Sequence, residues 1–240
     1  MRLLVLFLLV ILGIENTLAA LEEWDQQQKS SSVLQACVTS PADIVTERLV
    51  GKAVTMQEEG VFEKVFKDGV ELFKKTESLI YWNGPRTDSS AGIEEWREFL
   101  TKSGSLTQQG IPALRAFYPR EDIVRDLEKK ILVGFVWVNL PDPAIEIYKG
   151  GLEMVWVLDP ACRRQGYGHE ATQGYLYGEV AFCEKFDFLY ASIRQENSRS
   201  IELAKKLGFG PWQSIGEVRV KESLEQRKRL LFRLEKSALQ

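Results

Sequence analysis

Apolar residues recur at helical spacing between residues 57 and 75. Val61, Phe62, Val65, Phe66, Val70 and Phe73 fall on one stripe of a 3.6-residue repeat, which predicts an amphipathic helix. A second helix is expected over "AGIEEWREFLTK" (91–102), after the Gly84-Pro85 turn. The strand pattern is shorter in period. "TERLVGKAV" (46–54) reads as a first strand, and "PALRAFYP" (112–119) and "KILVGFVWVNL" (130–140) carry the β-branched and aromatic residues that suit a pleated surface. "PDP" at 141–143 breaks the run, and "GGLEMVWVLDP" (150–160) predicts a further strand ending at Asp159-Pro160. A helix over about 168–186, a buried strand "FDFLYASIR" and an Asn-capped helix "NSRSIELAKKLGF" follow. The strands "PWQSIGEVRV" (211–220) and "KRLLFRLEK" (228–236), separated by a charged turn, complete the chain. There is no internal repeat. The order β-α-α-β-β-β-α-β-α-β-β predicts an α/β (α+β) fold, a mostly antiparallel mixed sheet with helices on both faces.

The N-terminus follows another pattern. Leu3 to Ile14 is an unbroken apolar run, preceded by Arg2 and followed by the small residues Ala19 and Ala20, as in a secretory signal sequence. It is short for a membrane span, and the charge bias of Arg2 against Glu15, Glu22 and Glu23 would send the remainder across. The alternatives are a mis-called first exon and an apolar extension that packs on the domain. Residues 21–43 include the low-complexity stretch "EEWDQQQKSSSVLQ" and read as a linker. The expected organisation is thus a signal-like or anchor segment at 1–20, a linker at 21–43 and one domain at 44–236. The expected location is the secretory pathway or a membrane if residues 1–20 act as a signal, and the cytoplasm otherwise. Membrane contact is expected only through residues 3–14.

Composition narrows the chemistry. The 240 residues are 45% hydrophobic and 27% charged, with a net charge of −3, so nothing points to non-specific nucleic-acid binding. The three cysteines, Cys37, Cys162 and Cys183, form no CxxC pair, and the one histidine, His169, excludes a histidine-cluster metal site. No metal is expected. A Ser-His-Asp triad would have to use a histidine that lies inside a glycine-rich loop.

That loop, "DPACRRQGYGHEATQ" (159–173), carries the strongest local signal. It leaves a buried strand and opens a helix, so the amides of Gln165, Gly166, Tyr167 and Gly168 are helix N-terminal donors without helical acceptors. Glycines at 166 and 168 permit close approach of a ligand, and Arg163 and Arg164 add positive charge. A diphosphate fits this description. A Walker loop does not, because no Gly-Lys-Ser/Thr follows, and a Rossmann fingerprint lacks its third glycine.

With these residues in place, the stretch from "TERL" to "KKLGF" resembles the GNAT superfamily of acetyl-CoA-dependent N-acetyltransferases, and within it the ribosomal-protein N-terminal acetyltransferase branch. The resemblance rests on Thr46-Glu47-Arg48-Leu49, Gly134 in "ILVGFVWV", Glu153, Trp156, "RRQGYGHEA" (163–171), "NSRS" (197–200) and "KKLGF" (205–209), in that order. It covers about residues 44–236 and implies a V-shaped sheet. Acetyl-CoA would be the co-substrate, its diphosphate on the loop amides and its pantetheine arm against Val157 and Leu158 at the strand end. Asn197 matches the position that contacts the arm, although an Asn before "SRSIEL" is also a helix N-cap by its own chemistry.

The implied acceptor is a primary amine: a protein N-terminus or a small amine such as a polyamine or an amino sugar. An ammonium must lose a proton before it attacks a thioester, and Glu153 is the candidate base. The competing reading places Glu153 on the solvent side of a half-exposed strand. Many members of the superfamily protonate the departing thiolate with a tyrosine seven residues after the motif asparagine. That position is Ala204 here, which leaves Ser200 as the substitute. His169 is expected to cap the helix or touch phosphate, Glu170 to favour the helix dipole, and Trp82, Trp96 and Trp156 to belong to the core or cleft wall. An acyl-cysteine intermediate on Cys162 is disfavoured, since no base is identifiable beside it. A CoA-binding module without turnover is the rival reading from another functional class.

Overall fold

The computed structural model describes residues 42–55, 58–75, 87–108, 110–112, 114–120, 131–141, 145–212 and 229–239. The segment 1–20, residues 21–41, Trp82 and most of the strand expected at 211–220 lie outside the described residues.

The expected first strand is two strands, β1 (Ile44–Val45) and β2 (Leu49–Ala53), paired antiparallel. Thr46 breaks it. Its amide donates to the Leu49 carbonyl at 2.9 Å and its hydroxyl accepts from the Leu49 amide at 3.0 Å, which closes a tight turn through Glu47 and Arg48. The helix α1 (Glu59–Lys74) follows and buries the predicted stripe, including Phe62, Val65, Phe66 and Phe73. The next helix, α2 (Ser90–Gln108), is longer than the sequence pattern suggests. Ser89 caps it, its Oγ accepting from the Gly92 amide at 3.1 Å. At the other end Thr101 and Ser105 bond back to carbonyls four residues earlier, so a polar run that reads as loop stays helical. The two helices touch through Gly69 and Trp96. A Cβ at Gly69 would stand 2.4 Å from the indole, so the missing side chain permits the close approach.

Strands β3 (Arg115–Pro119), β4 (Gly134–Asn139) and β5 (Gly151–Leu158) extend the sheet antiparallel. Helix α3 (Tyr167–Gly178) ends earlier than expected and gives way to a 3-10 turn, Val180–Phe182. Then come β6 (Phe188–Arg194), α4 (Ser198–Lys206), β7 (Gly210–Pro211) and β8 (Arg229–Glu235). Among the described residues, eight strands form one sheet in the order β1-β2-β3-β4-β5-β6-β8-β7, in which only β5 and β6 pair in parallel.

Period-two alternation sorts the side chains onto two faces. Leu152, Met154, Trp156 and Leu158 of β5 meet the core beneath α3 and α4, whereas Val155 and Val157 meet the aromatic core of α1 and α2, built on Phe73, Trp96, Phe135 and Trp137. A third cluster, Tyr148, Phe188, Tyr190 and Leu231 with Trp212, covers the β6–β8 end of the second face.

The feature that positions the site is a parting of strands. The β5–β6 pairing runs only from Gly151↔Phe188 to Glu153↔Tyr190, although β5 continues to Leu158 and β6 to Arg194. Beyond Glu153 the two strands diverge, which gives the V shape. Main-chain groups of β5 that point toward β6 are left without a ladder partner there.

Candidate active site

The loop after β5 is held by its own residues. Asp159, almost fully buried, accepts from the Ala161 amide at 2.9 Å and pairs with Lys75 from the end of α1, which fixes the turn Pro160–Cys162. Arg164 (φ 64°) and Gly166 (φ 83°) then take left-handed conformations. Gly166 is the N-cap of α3 with no side-chain cap, and the first bond into it from the helix is Glu170 N–H to the Gly166 carbonyl at 3.1 Å. The amides of Tyr167, Gly168 and His169 therefore precede the first helical donor and are available to an anion. His169 sits in this first turn, half-buried.

The side chains around the loop are arranged differently from the simplest expectation. Gly168 is small because of packing: a Cβ there would lie 2.6 Å from Leu158 Cδ1. Arg163 folds back, its guanidinium donating to the Leu158 carbonyl at 3.3 Å, and the Gln165 side chain donates to the Ala161 carbonyl at 2.9 Å. Arg164 is the exposed one of the pair. The sequence reading overlooked Arg48, whose guanidinium reaches the loop from the β1–β2 turn. Its Nε donates to Glu170 at 2.7 Å, its Nη1 to the Gln165 carbonyl at 2.9 Å, and the group lies 4.6 Å from the centre of the Tyr167 ring.

Glu170 is accordingly a latch and more than a dipole partner. It also accepts from the Thr46 hydroxyl at 2.6 Å and the Arg48 amide at 2.7 Å. Partial burial by itself would raise its carboxyl, but the Thr46 and Arg48 hydrogen bonds and the Arg48 charge outweigh that and hold it below the usual range.

At the strand end, Val157 and Leu158 differ. A Cβ on Gly134 would fall 2.1 Å from the Val157 carbonyl, so that carbonyl is turned toward β4, and by alternation the main-chain groups of Trp156 and Leu158 are turned toward the parting. Asn197 caps α4, its Oδ1 accepting from the Ser200 amide at 3.2 Å. Ser200 Oγ accepts from the Trp156 indole N–H at 3.2 Å. Indole is a donor only, so this contact leaves the Ser200 hydroxyl proton free to be donated elsewhere. Ala204 is fully buried in the core beneath α4. Cys162 is half-buried, and desolvation with the nearby Asp159 charge pushes its thiol up, which opposes a thiolate nucleophile.

Glu153 lies on the opposite face of β5 from Trp156, at the last paired position before the strands part. It is partly buried and accepts from the Asn139 amide at 3.4 Å, while the Asn139 oxygen accepts from the Trp137 indole at 2.9 Å. Desolvation dominates and raises the Glu153 carboxyl above the usual range, with the Asn139 hydrogen bond and the Arg229 charge opposing. Tyr148 and Tyr190, stacked with centroids 4.5 Å apart and planes within 4°, feel the Glu153 charge, and burial with that charge keeps both phenols protonated. Arg229 is itself fixed by a 2.7 Å bond from its Nε to Ser192 Oγ. Asn139, Tyr148, Tyr190 and Arg229 carried no sequence motif. Strand register sets Asn139 and Tyr190 on either side of Glu153, and tertiary packing brings Tyr148, from the 3-10 turn Glu146–Tyr148, and Arg229 within reach of its charge.

With this geometry, comparison with known proteins is informative. The chain is similar in structure to a GNAT-family acetyltransferase from Bacillus anthracis, with 17% identity, a TM-score of 0.57 and coverage of 82% of this chain and 99% of that one. It is similar to a spermidine N-acetyltransferase from Vibrio cholerae solved with CoA and spermine, with 12% identity, a TM-score of 0.58 and coverage of 80% and 98%. It is also similar to a Salmonella typhimurium acetyltransferase that modifies the N-terminal serine of a 50S ribosomal subunit protein, with 14% identity, a TM-score of 0.56 and coverage of 81% and 99%. At these identities the likeness establishes the fold. No curated protein sequence matches the chain. The profile of the family described as Acetyltransferase (GNAT) domain matches residues 68–210, more than half of the 240-residue chain and inclusive of β5, the glycine loop and α4. The chain belongs to the GNAT acetyltransferase family.

Proposed function

We propose that this protein transfers the acetyl group of acetyl-CoA to a primary amine by direct attack, with a peptide N-terminus as the preferred acceptor. The observation that carries the reading is Glu153: a desolvated carboxylate with a raised pKa, at the point where β5 and β6 part. A carboxylate of this kind accepts a proton more readily than an exposed one, which suits the removal of a proton from an incoming ammonium.

The roles of the other residues follow from their chemistry. The amides of Tyr167, Gly168 and His169 and the cation Arg164 suit the diphosphate, and Gly166 leaves the approach open where a Cβ would crowd it. The Leu158 main chain, turned into the parting, suits the pantetheine arm, and the amide nitrogen of Asn197 remains for a second contact while its oxygen caps α4. Glu153 takes the ammonium proton. The freed amine attacks the thioester carbonyl carbon, the C–S bond breaks, and the proton that the new amide nitrogen sheds passes to the departing sulfur, to which Ser200, with Trp156 occupying its acceptor side, donates a hydrogen bond. The indole contact thus compensates in part for Ala204.

The choice of a peptide over a polycation rests on charge. Among the described residues, the β6–β8 end of the face that bears Glu153 carries Arg194, Arg229 and Arg233 by strand register, and its other acid, Glu235, is paired with Arg233 at 2.6 Å. A polyamine site calls for more acid than this. Acetyl-CoA consumption measured across peptides, polyamines and aminoglycosides tests the reading. Turnover with peptides is expected. A polyamine preference would reverse the acceptor assignment, and tight CoA binding without turnover on any amine would favour the binding module.

A further inference from the structure

We infer that Arg48 is a further cation of the diphosphate site, supplied by the β1–β2 turn and aimed by Glu170. The inference rests on the acetyl-CoA reading above and concerns a residue outside the glycine loop and outside the matched span 68–210.

The loop is short of aimed cations by its own means. Arg163 donates back to the Leu158 carbonyl, and Arg164 is exposed. Arg48 is neither folded away nor loose. Nε and one Nη2 hydrogen go to Glu170, with Nη2 to the carboxylate at 2.6 Å, and one Nη1 hydrogen goes to the Gln165 carbonyl. A guanidinium has five N–H donors, so two are left over after these three bonds. The side chain keeps 43% of its surface exposed, which makes those donors reachable.

Their location is set by Gly166. A Cβ built on this left-handed residue would meet only Arg48 Nη2, at 3.1 Å, so the guanidinium borders the space that a ligand enters when it approaches the Gly166 backbone. Stacking on Tyr167, the first residue of α3, holds the guanidinium against the helix start, beside the amides offered to the anion. Glu170 is held charged by the Thr46 hydroxyl and by the amide and guanidinium of Arg48, and Thr46 fixes the turn from which Arg48 projects. An arginine fork so held presents its remaining donors to a phosphate without a further ordering cost.

The test compares binding of CoA with binding of pantetheine, the same arm without diphosphate or nucleotide, to the full-length protein by calorimetry. Arg48→Gln is expected to weaken CoA about ten- to a hundredfold, the scale of hydrogen bonds to a charged group, and to leave pantetheine unchanged. Arg48→Lys, which keeps the charge and the stem but not the fork, is expected to lose about three- to tenfold for CoA alone, and it serves the same test if the Gln variant does not fold. Unchanged CoA affinity in either folded variant overturns the assignment of Arg48. Equal losses for CoA and pantetheine also overturn it, since they make Arg48 a brace of the fold only. Wild-type protein that binds no CoA overturns the acetyl-CoA reading itself, and the Arg48 assignment with it.

Discussion

Two carboxylates, Glu170 in the first turn of α3 and Glu153 where β5 and β6 part, sit in opposite environments. Glu170 is surrounded by donors from Thr46 and Arg48, which hold its carboxyl below the usual range. Glu153 has one 3.4 Å hydrogen bond from Asn139, and desolvation raises its carboxyl above the usual range. The first arrangement suits a structural latch, for which a fixed charge is useful. The second suits a group that must take up a proton and release it. Acid identity alone does not separate the roles; the number of donors facing each carboxylate does.

The largest expected effect tests the acceptor end. Glu153→Gln should lower turnover about 10²- to 10⁴-fold at neutral pH while CoA affinity stays nearly constant, the usual scale for loss of a general base. The deficit should shrink as pH rises and more acceptor amine arrives neutral. Wild-type rates in the Gln variant at every pH would make Glu153 a structural residue like Glu170, and the contrast would collapse.

On the cofactor side, Gly166→Trp should weaken CoA binding at least about tenfold in a folded protein, because the new side chain occupies the approach path and L-residues disfavour the left-handed conformation. Unaltered binding would mean that the loop is an ordinary turn. Between the two ends, Gly134→Ala should destabilise the fold by about 1–3 kcal/mol in thermal or denaturant unfolding, as overpacking does. The added methyl would overlap the Val157 carbonyl, a backbone atom that cannot move aside. A neutral effect would show that β4 and β5 have room to separate.

The smallest effects have opposite signs and sharpen the comparison most directly. The folded-state pKa of Glu170 is lowered, so its charge contributes stability above the unfolded carboxylate pKa, and that contribution is lost as pH falls through the folded value. Glu170→Gln should therefore lower Tm at neutral pH, with the deficit closing in acid. The folded-state pKa of Glu153 is raised, so its contribution to stability is complete below the unfolded pKa and is lost as pH rises through the folded value. Glu153→Gln should raise Tm slightly at neutral pH, with the gain vanishing in acid. Shifts of the same sign in both variants would contradict the opposed environments.

The turn and helix start of the glycine loop were largely legible from sequence because backbone chemistry is contiguous there. A buried strand, Asp-Pro, two glycines and a helix start follow one another between Val157 and His169, and each has local conformational meaning. What escaped was the division of labour among the side chains: Arg163 turns back to Leu158, Gly168 yields space to Leu158, and the aimed cation is Arg48. Local patterns also misjudged element ends. The polar tail of α2 stays helical through back-bonded hydroxyls, and a hydroxyl at Thr46 splits the first strand.

By itself, then, the sequence determined the element order, the two-faced apolar alternation of β5 and the helix start at Gly166, since each depends on neighbours in the chain or on a short repeat. Tertiary structure alone decided the strand register that sets Glu153 beside Asn139 and Tyr190, the approach of Tyr148 and Arg229 to that carboxylate, the parting that begins after Glu153↔Tyr190, and the reach of Arg48 to Glu170. The physical reason is range. Propensity and periodicity act over a few residues, whereas desolvation and Coulomb interaction depend on distances in space, and residues far apart in the chain become neighbours only when the sheet closes around its core.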